Sequence, residues 1–184
     1  MASANNWENL VNEISTAQIV SAASKATSEV FQTMLGLELH IGEPREESVN
    51  LPQVDGVVAL VGIGGTWMGS GRISCSSQMA CRLAGAMLMS DFEYVNEDVL
   101  DAMSEIANMI IGNMKTTFEE ELGTLTLSIP TVVFGRNYRT RCAGVRQWTR
   151  IPVNSGGEVM DVCFFLVKSQ TTQPGVAETE ESYA

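Results

Sequence analysis

Residues 96–123 read NEDVLDAMSEIANMIIGNMKTTFEEELG, and their periodicity decides how the rest of the chain is organised. On a helix turning about 100° per residue, Val99, Leu100, Met103, Ile106, Ala107, Ile110, Ile111, Met114 and Phe118 share one broad apolar arc that must face a core. Asn96 is a good N-cap, Glu97, Asp98 and Asp101 favour the positive end of the helix dipole, and Gly123 marks the stop after Leu122. Asp101, Glu105, Asn108, Gly112, Lys115 and Glu119 fall within a stripe of about 80° on the opposite side. Glu105 and Asn108 are therefore neighbours on an exposed face. Gly112, one turn on, costs about 1 kcal/mol relative to Ala in a helix interior. Its small size would let another chain approach beside the pair.

Working outward, residues from Asn9 to Leu35 predict a second long helix, with Leu10, Ile14, Ala17, Val30, Phe31, Met34 and Leu35 at three- and four-residue steps and Gly36 as its cap. Leu37, Leu39 and Ile41 alternate as in a half-buried strand, and Gly42 to Val54 predicts a loop by its charges and two prolines. Gly56 to Ile63 and Trp67 to Cys75 predict strands joined at Gly64-Gly65, and Ser76 or Ser77 caps a short helix to about Met89. Three strand-like runs follow the main helix: Leu125 to Phe134, Val145 to Val153 and Val159 to Val167. Asn154-Ser-Gly-Gly between the last two is hairpin chemistry. The two long helices also align: Ser28-Glu29 through Gln32 to Gly36 lies against Ser104-Glu105 through Asn108 to Gly112, each followed by a Leu-x-Leu-x-Ile strand. The expected fold is α+β, with two pseudo-repeated halves, each a long helix packed on antiparallel β-strands. A single domain is expected over residues 1–168, followed by an acidic, mobile tail at 169–184.

Composition narrows the chemistry. Eleven Lys and Arg against twenty-two Asp and Glu give a net charge of −11 in 184 residues, which disfavours nucleic acid and anionic membranes as partners. One histidine, His40, leaves no two-histidine metal site and no Ser-His-Asp triad that does not use it. Cys75, Cys81, Cys142 and Cys163 form no C-x-x-C pair, the first residues do not read as a secretory signal, and no run is long and apolar enough to span a bilayer. A cytoplasmic chain with free thiols is the expectation. The glycine-rich Gly62 to Gly71 stretch fits no phosphate-binding frame and reads as a hairpin. Arg136, Arg139, Arg141, Arg146 and Arg150 read as a solvated face, the methionines as core filler, and Asn113 as a buried structural amide.

A carboxylate and a carboxamide three residues apart cannot activate a nucleophile alone. An amide can hold a water in line with an electrophile without becoming charged, and a carboxylate can pair with a lysine. The pair makes sense as half of a site, completed by a partner that brings its own metal and phosphoryl group.

Residues Asp101 to Lys115, DAMSEIANMIIGNMK, closely resemble the E-x-x-N helix of the CheC/CheX/FliY phosphatases of bacterial chemotaxis. The single intact copy, the length, and Phe31-Gln-Thr-Met-Leu-Gly36 in the first helix resemble the CheX branch, with the likeness spanning Asn9 to Lys168. The resemblance implies hydrolysis of the aspartyl phosphate on a CheY-type response regulator. Asn108 would orient the attacking water and Glu105 would pair with the regulator's active-site lysine. The regulator would supply Mg²⁺ and the phosphoaspartate, leaving the chain no cofactor of its own, and a homodimer joined through sheet edges is implied. The first helix departs from the pattern: it carries Glu29 and Gln32, one methylene too long, and reads as a non-catalytic relic or a dimer surface. The alternative reading is a non-catalytic module that binds a response regulator, or a flagellar-switch-like assembly module, through the same helix.

Overall fold

The computed structural model describes residues 14–48, 53–140 and 147–169, so the expected acidic tail beyond Ser169, the helix start before Ile14, and Arg141, Cys142 and Arg146 lie outside the described residues. Three α-helices, α1 (Thr16–Val30), α2 (Ser77–Leu88) and α3 (Glu97–Leu122), accompany eight strands: β1 (His40–Ile41), β2 (Arg45–Ser48), β3 (Val54–Gly65), β4 (Trp67–Cys75), β5 (Leu125–Leu127), β6 (Thr131–Tyr138), β7 (Gln147–Ser155) and β8 (Glu158–Lys168). The strands make one antiparallel sheet in the order β1-β7-β8-β4-β3-β5, with β2 also on β7 and β6 also on β3.

Both halves have the expected plan. In each, a long helix leads into a broken outer strand and then a hairpin: α1, β1/β2, β3–β4, and α3, β5/β6, β7–β8. The hairpins meet at the centre, where β4 pairs β8 from Trp67↔Lys168 to Cys75↔Met160. Each broken outer strand crosses to the other half, β1/β2 pairing β7 and β5/β6 pairing β3. The halves therefore cannot separate without breaking both edges of the sheet. The β7–β8 turn runs through Gly156 and Gly157, both at positive φ, as the Asn154-Ser-Gly-Gly reading requires.

Three expectations need correction. The segment read as loop contains β2, where Arg45, Glu46 and Glu47 pair with Arg150, Thr149 and Trp148. An edge strand needs pairing on one side only, so charged residues can occupy it and guard its free edge. Only His40–Ile41 of the expected Leu37–Ile41 strand is in the sheet. Leu125 to Phe134 is two strands rather than one, interrupted at 128–130, where Pro130 has no N–H to donate.

A fourth correction concerns the helix alignment. The first helix begins at Thr16 rather than running from Asn9: it is capped at Ser15, whose hydroxyl accepts from Gln18 N–H while Gln18 accepts from Ser15 N–H. It ends in a wide turn, Phe31–Leu35, and then at Gly36, with φ of +61°. Gly36 is a true cap, whereas Gly112 lies inside α3, which continues to Leu122 and stops at Gly123, with φ of +78°. Helix ends thus match Gly36 with Gly123 and the buried Phe31 with Phe118. The motif alignment is displaced by 11 residues. Eleven residues are close to three whole turns, so the displacement hardly changes which residues face the core.

All three helices contribute to one core against a single face of the sheet, with Val57, Ala59, Val61, Ile73, Ile151, Val153, Val162 and Phe164 beneath them. Every residue of the expected apolar arc of α3 is fully buried except Leu100, which is partly buried and packs on the core. A close approach of α3 to the sheet falls at Gly71 of β4. A Cβ there would lie 2.3 Å from Ile111 Cδ1, inside van der Waals contact. Gly71→Ala should therefore lower stability by about 1–3 kcal/mol through overpacking. In urea melts, Ile111→Val, which deletes the clashing methyl, should make the double mutant less destabilised than the sum of the singles.

Candidate functional site

Burying one side of α3 so completely leaves the other side to solvent. Asn96 caps the helix by accepting from Val99 N–H at 3.0 Å, and Glu97 and Asp98 occupy its first turn. Asp101 and Glu105 are exposed, and Asn108, Gly112, Lys115 and Glu119 are half-buried along the expected stripe. Among the described residues neither Glu105 nor Asn108 has a side-chain partner, so the carboxylate and the carboxamide stand side by side with their hydrogen-bonding capacity unspent.

One turn beyond, the helix is tied to β5. Lys115 pairs with Glu119 Oε2 at 2.8 Å, and Glu119 Oε1 accepts from Leu125 N–H at 2.8 Å. The lysine and this N–H hold the Glu119 carboxyl below its ordinary range. The clasp brings Leu127 alongside Gly112. A Cβ at Gly112 would meet only Leu127 Cδ1, at 3.9 Å, so the outer side of this glycine is open. Two residues past Leu127, Ile129 is 89% exposed. The sequence reading missed this apolar neighbour because it ran a continuous strand through it. An isoleucine followed by a proline, Ile129-Pro130, was the available signal.

Other candidate residues fall elsewhere. Helices α1 and α3 run antiparallel, since Gln18 Nε2 donates to Glu121 Oε2 while Lys25 and Glu29 line a groove with Asn113 and Thr117. By the helix ends, the α1 counterparts of Glu105 and Asn108 are Gln18 and Ser21, not Glu29 and Gln32. Gln18 is already engaged at both ends of its amide, in the cap and with Glu121. Asn113 is half-buried and its side chain makes no hydrogen bond among the described residues, which corrects its reading as a buried structural amide. Arg136 and Arg139 are exposed as expected, but Arg150 is bound to Glu47 and Asp161. His40 is exposed on β1, Cys75, Cys81 and Cys163 are free and buried, and no group of acidic, histidine or cysteine side chains among the described residues could hold a metal.

An antiparallel sheet with crossed outer strands and helices on one face is a fold with known members. The fold matches a putative chemotaxis protein from Desulfovibrio vulgaris Hildenborough with a TM-score of 0.74 at 26% identity, covering 85% of this chain and 99% of that one. It matches the chemotaxis protein CheX of Desulfovibrio desulfuricans with a TM-score of 0.73 at 28% identity, covering 81% and 99%. These are chemotaxis proteins of one fold. Residues 57–154 match the family profile of chemotaxis phosphatase CheX, and the chain is 33% identical over 132 residues to the CheY-P phosphatase CheX of Thermotoga maritima, covering 70% of this chain and 83% of that protein. The chain belongs to the CheX family of chemotaxis phosphatases.

Two outcomes follow from the local geometry. Gly112→Ala should raise stability by up to about 1 kcal/mol, because the helix gains and nothing clashes; a thermal melt reads it directly. The Glu119 clasp should be pH-dependent. Its folded pKa lies below the unfolded one, so its contribution is complete above the ordinary carboxylate range and is lost as pH falls through the lowered value. Glu119→Gln should therefore destabilise at neutral pH and converge on wild type in acid, as followed by urea midpoints across that range.

Proposed function

We propose that the chain hydrolyses the aspartyl phosphate of a CheY-type response regulator, with Asn108 orienting the attacking water and Glu105 pairing with a lysine beside the phosphorylated aspartate. The observation that carries the reading is the unpartnered Glu105/Asn108 pair on the outward face of a helix whose apolar side is buried in the core. The relative in Thermotoga maritima is a CheY-P phosphatase, which supports the same substrate class for this chain.

The chemistry asked of the chain is modest. The acyl phosphate is already a reactive bond, and a Mg²⁺ held by the regulator would offset charge on the phosphoryl oxygens. Asn108 accepts a hydrogen bond from one water and fixes its lone pair in line with phosphorus. Water attacks, the bond from phosphorus to the aspartyl oxygen breaks, and inorganic phosphate and a free carboxylate leave. Glu105 supplies a charge-assisted bond that registers the partner. Around it, Glu97, Asp98, Asp101 and Glu105 present four carboxylates on the first three turns of α3, a field suited to a partner with a cationic rim.

The partner set extends to a second copy of the chain. The outer edge of β6 has no strand beside it among the described residues, and Phe134 on it is 48% exposed. Such an edge invites pairing, and we place the homodimer contact there. No helix among the described residues is long and apolar enough to cross a membrane, and the buried free thiols suit a reducing cytoplasm.

Asn108→Ala should abolish stimulated dephosphorylation while leaving the circular dichroism melt nearly unchanged, since alanine is the better helix former. Near-normal phosphate release from the folded variant would remove Asn108 from the mechanism. Gln32→Ala should stay within about twofold of wild type, less than about 0.5 kcal/mol in the barrier; a loss matching Asn108→Ala would show two working sites. Glu105→Lys should weaken apparent affinity for the phosphorylated regulator more than Glu105→Gln does, and added salt should narrow the gap between wild type and Glu105→Gln. Wild-type turnover by the Lys variant would make Glu105 a solvated residue only.

A further inference from the structure

The register of the sheet explains why Ile129 is exposed. Leu127 pairs with Ile63, Ser128 N–H donates to Gly62 O at 2.9 Å, and Thr131 pairs with Leu60. Ile129 and Pro130 therefore stand opposite a single residue of β3, Val61. This is a β-bulge, a feature found at sheet edges and beside active sites, where it re-aims a side chain. Val61 is fully buried in the core under the helices. A regular strand would carry the residue opposite it toward the same core. The extra residue turns Ile129 outward instead, to 89% exposure.

The bulge is pinned on both sides. Ser128 Oγ accepts from Gly62 N–H at 2.8 Å and donates to Ile129 O at 3.0 Å. Pro130 confines the backbone of the residue before it to extended conformations, and a β-branched side chain has few rotamers to lose. An isoleucine held this way in the open is a preorganised apolar contact, with its burial still to be gained.

Its place is beside the Glu105/Asn108 face. Leu125 is tied to Glu119, and Leu127 lies against Gly112, so the chain runs back along α3 toward the helix N-terminus. Two strand residues advance about 7 Å and one helical turn about 5.4 Å, so the step from Leu127 to Ile129 leads from the level of Gly112 toward that of Asn108. The stripe from Asp101 to Glu119 is made of polar residues and one glycine. A partner seated on it finds an apolar contact on the neighbouring link between β5 and β6.

We propose that Ile129 is a docking residue for the receiver domain, seating in an apolar spot near the phosphorylated aspartate while α3 supplies the polar contacts. The proposal rests on the reading of Glu105 and Asn108 as the phosphatase face. An interface of ordinary size covers about 800 Å² on each partner, enough to hold Ile129 and the Glu/Asn pair together. Apolar contacts ringed by polar ones are the usual make-up of such a patch.

The test uses a panel of receiver domains loaded with beryllofluoride, a stable mimic of the phosphoryl group, for calorimetric binding, and the same domains phosphorylated for turnover. Ile129→Ser should raise Kd and KM about fivefold or more with kcat within about twofold, and its thermal melt should match wild type because the side chain is exposed. Ile129→Val should recover most of the affinity. The Ile129→Ser defect should persist in added salt, unlike that of Glu105→Gln, because apolar burial is not screened. Unchanged Kd and KM in folded Ile129→Ser would overturn the proposal while leaving the roles of Glu105 and Asn108 intact. Weaker binding of Ile129→Ser to a receiver that the wild type binds but does not hydrolyse would uphold the docking role and remove the catalytic one. A lower sedimenting mass of Ile129→Ser without any receiver would assign the side chain to the contact between copies and overturn the proposal. A wild-type chain that binds no receiver would overturn both readings.

Discussion

The approach of α3 to the centre of the sheet, Ile111 seated where Gly71 has no side chain, is the constraint on which the rest depends. It brings the helix down onto β4, the strand through which the two halves pair, and so commits one side of α3 to the core along its whole length. Apart from the Lys115–Glu119 clasp to β5, the opposite side then has no structural duty. A carboxylate and a carboxamide can stay there unpaired without destabilising the fold, because solvent satisfies them until a partner arrives. The crossed outer strands serve the same end. With β1/β2 on β7 and β5/β6 on β3, the sheet under the helix is completed by both halves at once.

That arrangement explains why so little machinery is visible. Among the described residues no group of acidic, histidine or cysteine side chains could hold a metal. The proposed half-site would rely on geometry: the amide would have to sit where a water can be aligned, and the acid would have to register the partner. Gly112, open on its outer side, and the exposed Ile129 beyond Leu127 extend the same face without adding chemistry to it. The acidic field of the first turns of α3 adds attraction at a distance, which favours encounter more than tight binding.

Much of this was legible in the chain. The 3.6-residue pattern from Val99 to Phe118, the Asn96 cap and the Gly123 stop set out α3 and placed Glu105 beside Asn108 before any coordinates. What was not legible has physical causes. An edge strand such as β2 needs no apolar face, so Arg45–Ser48 read as loop. The break between β5 and β6 needs a proline placed against a particular neighbour, β3. The motif alignment of the two helices failed because a displacement of three turns preserves burial, and only the cap glycines distinguish the registers.

The central claim is that the chain is the catalytic half of a site whose other half belongs to a phosphorylated receiver domain. The most direct measurement offers the purified chain a panel of phosphorylated receiver domains and, separately, p-nitrophenyl phosphate. Phosphate loss should accelerate for at least one receiver, and the small ester should remain intact because the proposed site draws its metal and its reactive acyl phosphate from the receiver. Hydrolysis of the small ester by the chain alone, or no acceleration for any receiver, would contradict the account.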